Sequence, residues 1–201
     1  MTRIESAAVT ARPAPGYGEG RQALIAAAVH VVGTRGLRHL TYRSVAQEAG
    51  VAHGLVAHHF GTRDALLQAA LEFSLANSVG SISAEPGSGD LDALFAGVVE
   101  MVQANPDDQA FQYELILEAR RRPELRPQVE QVYVTYRRAL RAELEAAGID
   151  ADDALVHLVF AAVDGLVFQQ VCLDEPAATP PSLERLRALL RPLADRPVSA
   201  D

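Results

Sequence analysis

Two short helical patterns on either side of Gly50 restrict the fold of this chain more than any other feature. Thr41 supplies a side-chain oxygen that can cap the first helix, and Gly50 can end it about two turns later. The second pattern spans residues 53–60. Each pattern has one apolar face, made of Val45, Ala46 and Ala49 in the first and of Leu55, Val56 and Phe60 in the second. The pair predicts a helix-turn-helix, although helical hairpins in ordinary bundles have a similar pattern.

Helical periodicity continues through the rest of the chain, and no segment alternates as a strand does. Glycines, prolines and capping residues divide it into further predicted helices at residues 21–35, 64–78, 91–105, 108–121, 124–147, 151–173 and 183–194. The predicted fold is all-α with about nine helices. A three-helix helix-turn-helix domain at residues 21–65 is followed by a larger helical domain at residues 66–201, and residues 1–20 are expected to form a flexible tail.

The charge is distributed unevenly between these two domains. The chain carries a net charge of −8, but residues 1–72 sum to +2 and residues 73–201 to −10. Only the N-terminal part can approach phosphates without strong repulsion. The lone Cys172 excludes a disulfide within the chain, which is typical of a reducing compartment. Because the first 20 residues have no apolar signal core and no later apolar stretch is expected to reach spanning length, a cytoplasmic location is predicted.

Residues 21–72 resemble the N-terminal domain of the TetR family. The segment RQALIAAAVHVVGTRG is similar to its first helix, and TYRSVAQEAGVAHGLVAHHFGTRDALLQAAL is similar to the rest of its signature. The matching positions are Thr41, Val45, Ala46, Ala49, Gly50, Val51, Gly54, His59, Phe60 and residues 63–67. The resemblance implies a dimeric repressor, or less often an activator, that binds a roughly palindromic double-stranded operator. It also implies that residues 66–201 bind a small effector and form the dimer.

The same resemblance implies which side chains contact DNA. They are Thr41, Tyr42, Arg43, His53, Gly54, His58, His59 and Arg63. Thr41, Tyr42 and Arg63 are assigned to phosphates, and Arg43 and His58 are assigned to base edges.

Some of these assignments have alternatives. Tyr42 can instead pack on the surface of the domain, and His59 can stack beneath the helix. Ala57 stands where the family often has a tyrosine that contacts a phosphate, and Ala52 stands where it often has a capping serine or threonine. These two alanines and the acidic total leave open a helical dimer of the same fold that no longer binds DNA.

No cofactor, metal site or enzymatic activity is predicted. His53 and His58 lie about 140° apart on a helix, and no nearby acid or cysteine completes a set of ligands. The sequence also has no phosphate-binding glycine loop, no nucleophile elbow and no repeated acidic metal motif.

The helix at residues 151–173 is apolar nearly all round, so it has to be covered on more than one side. Its AAVDGL segment, residues 161–166, resembles the penultimate helix of the family, which forms a four-helix dimer bundle with the last helix. The predicted interface consists of Leu158, Ala162, Gly165, Leu166, Leu186, Leu189 and Leu190. A core helix of a monomer is the alternative.

An effector pocket is expected between the connecting helix, residues 64–78, and the helices around residues 95–170. The candidate wall residues, whose spacing is also typical of plain core, are Phe73, Met101, Phe111, Leu115, Tyr133, Phe160 and Phe168. Polar residues within apolar faces are the sharper candidates: Glu114, Glu118, Asp164 and Gln169. Burying any of them without a partner would cost about 1 to 3 kcal/mol. The hypothesis is a mainly apolar effector with one polar or cationic group.

Overall fold

The computed structural model describes residues 17–82, 87–173 and 177–194, and these residues form nine α-helices and no strand. The all-α prediction is confirmed. Short 3-10 turns lie at Leu37–His39 and Pro123–Leu125. The helices are α1 (Tyr17–Arg35), α2 (Tyr42–Ala49), α3 (His53–Phe60), α4 (Arg63–Ile82), α5 (Leu91–Ala104), α6 (Pro106–Ala119), α7 (Arg126–Ala146), α8 (Asp153–Leu173) and α9 (Thr179–Ala194).

The helix-turn-helix begins and ends at the predicted capping residues. The Ser44 amide donates to the Thr41 hydroxyl at 3.1 Å, and the Thr41 amide donates to the Ser44 hydroxyl at 3.1 Å, so the two residues form a reciprocal cap. Gly50 ends α2 in the left-handed region, with φ 68° and ψ 29°. This geometry turns the chain within three residues into α3.

Two helices, α1 and α9, begin four residues earlier than predicted. α1 begins at Tyr17, so the predicted tail is wrong for residues 17–20, and residues 1–16 lie outside the described part of the chain. α9 begins at Thr179, whereas the predicted helix begins at residue 183. Pro180 and Pro181 fall in the first turn of α9, where a backbone N–H has no partner within the helix and proline is therefore tolerated.

The core of the N-terminal domain extends beyond the predicted boundary at residue 65. Val56 and Leu66 share one apolar cluster with Phe111 and Leu115 of α6, and all four are fully buried. A second cluster joins α5, α7, α8 and α9 with Tyr113 of α6. α6 is therefore a structural part of both halves of the molecule.

α8 is long and apolar enough to cross a membrane by length and composition, which corrects the expectation that no stretch reaches spanning length. Its mean hydropathy is 1.7, and 22% of the apolar window is buried. Length and composition alone do not identify a membrane span, because a core helix of a soluble protein meets the same criteria.

Candidate nucleic-acid interface and effector cavity

α3 presents one face to the core and the opposite face to solvent. Val56 is fully buried and Phe60 nearly so, which holds the helix against α2 and α4. The outer face is exposed and carries His53, Gly54, Ala57 and His58. A Cβ added at Gly54 would meet no described atom within 4 Å outside the adjacent residues and the local helix backbone. Packing within the chain therefore leaves this face open to a partner that lies close to the backbone.

The start of α2 lies beside the start of α3. Thr41 and Arg43 are exposed and Tyr42 is half-buried. The rings of Tyr42 and His53 approach to 6.3 Å between centroids, which joins the two helix starts into one surface. The predicted contact residues of both helices are thus brought together.

Arg63 has a packing role that the sequence did not indicate. Its Nε donates to the Leu40 carbonyl at 2.8 Å and its Nη2 donates to the Leu37 carbonyl at 2.9 Å. These bonds fix the turn before α2, and the assignment of Arg63 to a phosphate stays a prediction for its remaining donors. The same turn exposes Arg38 and His39, which the sequence analysis missed although they stand just before the Thr41 cap.

The His59 side chain is half-buried on the side of α3 that faces α1. Its ring meets His58 edge-on at 5.4 Å and Phe60 at 6.3 Å between centroids. Its Nε2 lies 4.0 Å from the point where a Cβ on Gly20 of α1 would stand. This position favours the packing role of His59 over contact with a base.

A cavity of about 190 Å³ lies between α4, α5, α6, α7 and α8. Its described walls are mainly aliphatic and aromatic, and the polar groups among these residues include two carboxylates and no basic side chain. The lining residues are Val79, Gly87, Leu94, Phe95, Val98, Met101, Gln109, Tyr113, Tyr136, Ala139, Leu140, Ala142, Glu143, Phe160, Val163, Asp164 and Val167.

Asp164 and Tyr113 form the first polar group of the cavity. The Tyr113 hydroxyl donates to Asp164 Oδ1 at 3.0 Å and approaches the Asp164 carbonyl at 3.1 Å. Burial raises the pKa of the Asp164 carboxyl, against the opposing effect of this hydrogen bond, and burial also raises the pKa of Tyr113. A positive charge beside Asp164 would stabilise the ionised carboxylate that burial disfavours.

Neutral groups form a second polar region. The Tyr136 hydroxyl donates to Gln112 Oε1 at 2.9 Å, and Gln109 Nε2 donates to the Ser78 hydroxyl at 2.8 Å. The Phe160 ring stacks on Tyr136 with 6.2 Å between centroids and 24° between planes. An aromatic ligand in this region can therefore contact aromatic rings as well as hydrogen-bonding groups.

Glu143, the other carboxylate of the cavity, is 3% exposed and is held by the segment that follows α4. It accepts hydrogen bonds from the amides of Gly87 at 2.6 Å and Gly89 at 3.1 Å, and from the Ser88 hydroxyl at 3.4 Å. These donors compensate the burial of the carboxylate and hold the segment against α7.

Two family models match the two halves of this arrangement. The model of the tetR family of bacterial regulatory proteins matches residues 24–70. The model of the tetracyclin repressor-like C-terminal domain matches residues 87–196, more than half of the chain. The chain belongs to the TetR family.

Individual TetR relatives match over most of their length. The transcriptional regulator BetI of Rhizobium meliloti (strain 1021) is 30% identical over 166 residues, which cover 78% of this chain and 80% of the relative. A solved TetR-family structure from Streptomyces coelicolor A3 is 31% identical with a TM-score of 0.69, covering 86% of this chain and 98% of that one. The multidrug binding protein EbrR, solved with proflavin, is 31% identical with a TM-score of 0.59, covering 85% and 99%.

Membership of the TetR family decides the class of function. The chain is a DNA-binding, ligand-responsive transcriptional repressor and not an enzyme. TetR regulators are soluble DNA-binding proteins, so the apolar composition of α8 is not evidence of a membrane span.

Only three of the predicted effector residues, Met101, Phe160 and Asp164, line the TetR cavity. Tyr133 and Phe168 each meet the ring of a cavity residue edge-on, but they do not line the cavity themselves. Phe111 and Leu115 are wrong as wall residues because both are fully buried in the N-terminal core, and Phe73 packs against that core.

Three predicted polar residues also lie away from the cavity. Glu114 accepts a hydrogen bond from the Leu37 amide, Glu118 pairs with Arg121, and Gln169 is exposed. Sequence reasoning missed four cavity residues: Gln109, Tyr113, Tyr136 and Glu143. Their spacing, four residues apart on α6 and seven apart on α7, places each pair on one side of its helix and was the available signal.

The predicted dimer residues lie mostly on one exposed side of α8 and α9. Leu158 and Leu189 are 67% and 60% exposed, and Ala162 between them in the chain is exposed as well. Gly165, Leu166 and Leu186 are half-buried. Leu190 was wrongly assigned to the interface, because it is 3% exposed and packs in the core of its own chain.

Asp108 of α6 is a buried carboxyl group, and the next residue in the chain, Gln109, lines the cavity. Asp108 accepts a hydrogen bond from Asn77 Nδ2 at 3.1 Å. Burial raises its pKa to about 6, with the Asn77 bond opposing the rise and Asp107 adding to it. Because the pKa is higher in the folded state, the contribution of Asp108 to stability is complete below about pH 4 and is lost as the pH rises through 6.

The Asp108→Asn variant is therefore expected to be more stable than the natural protein at pH 7.5, by about 1 to 2 kcal/mol, with the gain shrinking towards pH 4. Asparagine keeps an oxygen for Asn77 and cannot ionise. Urea unfolding at a series of pH values measures the difference, and Asp150→Asn, at an exposed aspartate, is the control. A gain that is the same at pH 4.5 and pH 7.5 would contradict the titration of Asp108.

Proposed function

We propose that this protein represses transcription as a homodimer bound to a palindromic operator, and that a mainly apolar organic cation releases it. The effector part of this proposal rests on the cavity, whose described lining has two carboxylates, no basic side chain and otherwise mainly apolar walls. The exposed face of α3 and the start of α2 carry the operator part.

The chemistry of the cavity favours a cation with an aromatic body. Tyr113, Tyr136 and Phe160 offer ring faces, which attract cations, and Asp164 lies beside them. An anion would be repelled by the Asp164 carboxylate here. EbrR, which resembles this chain, was solved with proflavin, and this supports a planar or aromatic ligand class.

The dimer is proposed to form through the exposed apolar side of α8 and α9. A second copy would cover Leu158 and Leu189 and account for a helix that is long, apolar and only partly buried. In such a dimer the two α3 helices read half-sites one turn of duplex, about 34 Å, apart. The cytoplasm is the proposed location, where both operator and effector are accessible.

Release requires that the effector prefer a dimer conformation whose α3 spacing does not match the operator. A preference of about 3 kcal/mol lowers operator affinity roughly a hundredfold. The effector therefore needs differential contacts with the two conformations and not only high affinity.

Selection of bound sequences from a random duplex pool tests the operator part, and recovery of a palindrome is expected. For the selected duplex, Arg43→Ala is expected to lower affinity about 10- to 100-fold and to relax the preferred base at one symmetric position, because a lost bidentate contact costs about 1 to 3 kcal/mol. Arg138→Ala, at an exposed arginine of α7, is the matched control. No enrichment, or equal effects of the two variants, would contradict the proposal.

A further inference from the structure

α6 contacts the cavity and the DNA-binding domain at the same time. Gln109 and Tyr113 line the cavity, one helical turn apart. On other sides of the same helix, Asp107 and Glu114 meet α1 and the turn that follows it. A ligand that displaces Gln109 or Tyr113 therefore acts on a helix that also touches the helix-turn-helix domain.

The crossing of α6 and α1 is tight at Gly33. A Cβ added to Gly33 would stand 2.9 Å from the Asp107 carbonyl oxygen and 3.5 Å from the Ala110 Cβ. The 2.9 Å distance is shorter than a van der Waals contact, so only glycine allows the two helices to approach this closely. Movement of α6 at this point cannot be absorbed by a gap and has to move α1 or break polar contacts.

His30 makes the polar contact beside this crossing. Its Nδ1 lies 2.6 Å from Asp107 Oδ2, and its Nε2 lies 3.6 Å from Glu48 Oε1 of α2. Arg35 of α1 holds the other oxygen of Glu48 at 2.8 Å. One imidazole thus connects α6, α1 and α2, one turn from the Gly33 crossing and away from the exposed face of α3.

We propose that the His30–Asp107 pair is the connection through which cavity occupancy changes the position of the helix-turn-helix. This inference rests on the proposed function, because it requires a cavity ligand that weakens operator binding. Displacement of Tyr113 or Gln109 moves α6, and the short pair moves α1 and α2 with it through His30 and Glu48. His30 and Asp107 are positioning residues that touch neither the cavity nor the DNA-facing side chains of α3.

The test uses the full chain, its selected operator and benzyltrimethylammonium, an aromatic cation that does not intercalate into DNA. In the natural protein, a saturating concentration of this probe is expected to lower operator affinity about a hundredfold. In His30→Gln and in Asp107→Asn, the same treatment is expected to lower it less than tenfold. Operator affinity without the probe, and probe affinity without DNA, are expected to stay within about threefold of the natural values.

Asp153→Asn is the matched control, because Asp153 also lies in the first turn of a helix and also loses an ion pair, with Arg141. Circular dichroism verifies that each variant is folded. If both variants keep the full hundredfold response, the His30–Asp107 pair is not the connection. If the natural protein itself does not respond to the probe, the effector part of the proposed function fails and this inference fails with it. A third variant combines His30→Gln with Asp107→Asn. If it loses no more response than either single variant, the two residues act as one contact, as proposed.

Discussion

Replacement of Leu158 by glutamate is expected to convert the dimer into monomers and to lower operator affinity at least a hundredfold. Leu158 is 67% exposed on the apolar side of α8 that a second copy is proposed to cover. Burial of a leucine side chain contributes about 1.5 to 3 kcal/mol, and two-fold symmetry counts it twice. A buried unpaired glutamate adds a desolvation penalty on each side. Sedimentation equilibrium measures the dimer, and fluorescence anisotropy with the selected duplex measures operator affinity.

The control for this experiment is Leu117→Glu. Leu117 is an exposed leucine of α6, 47% exposed, and lies outside the predicted interface. This variant is expected to remain a dimer and to bind the operator normally. If Leu158→Glu stays dimeric while Leu117→Glu dissociates, the interface lies elsewhere than on α8 and α9.

Replacement of Asp164 by asparagine is expected to weaken the binding of benzyltrimethylammonium about thirtyfold. The carboxylate lies in an apolar cavity beside Tyr113, where loss of a charge pair costs roughly 2 kcal/mol. Asparagine retains an oxygen that can accept the Tyr113 hydrogen bond, so the variant removes charge with little change in shape. Isothermal titration calorimetry without DNA measures the affinity, and Asp150→Asn is the matched control.

Two further comparisons test whether charge is the cause. Neopentylbenzene, the uncharged isostere of the probe, is expected to bind both proteins equally. Because burial raises the pKa of Asp164, acidification neutralises this carboxylate at a higher pH than an ordinary aspartate. The natural protein is therefore expected to lose probe affinity as the pH falls through that raised pKa, and Asp164→Asn is expected to lose less. Equal pH dependence in the two proteins would assign the effect to another group.

The helix-turn-helix could be predicted from the sequence because its determinants are local. A capping hydroxyl at Thr41, a left-handed glycine at position 50 and an apolar face in each short helix are all visible within twenty residues. The start of α9 could not be predicted in this way. Consecutive prolines indicate a break unless they fall in the first turn of a helix, which is where Pro180 and Pro181 lie.

The effector cavity could not be predicted residue by residue, because it depends on how distant helices cross. Phe111 and Met101 have similar helical surroundings in the sequence, yet only Met101 reaches the cavity. Leu189 and Leu190 differ by one position and by about 100° around the helix, so one is exposed and the other buried. Periodicity identifies an apolar side of a helix, and the tertiary packing decides what that side contacts.

Phe111 and Leu115 of α6 belong to the N-terminal core, and this limits how the DNA-binding domain (the reader) and the effector-binding domain (the sensor) can be exchanged between proteins. A chimera joined at residue 65 would leave the DNA-binding domain without part of its hydrophobic core. Recombination that preserves a working reader has to carry a compatible α6 surface along with it. The interchangeable unit of this protein is therefore larger than the segment that touches DNA, and it includes one helix of the sensor.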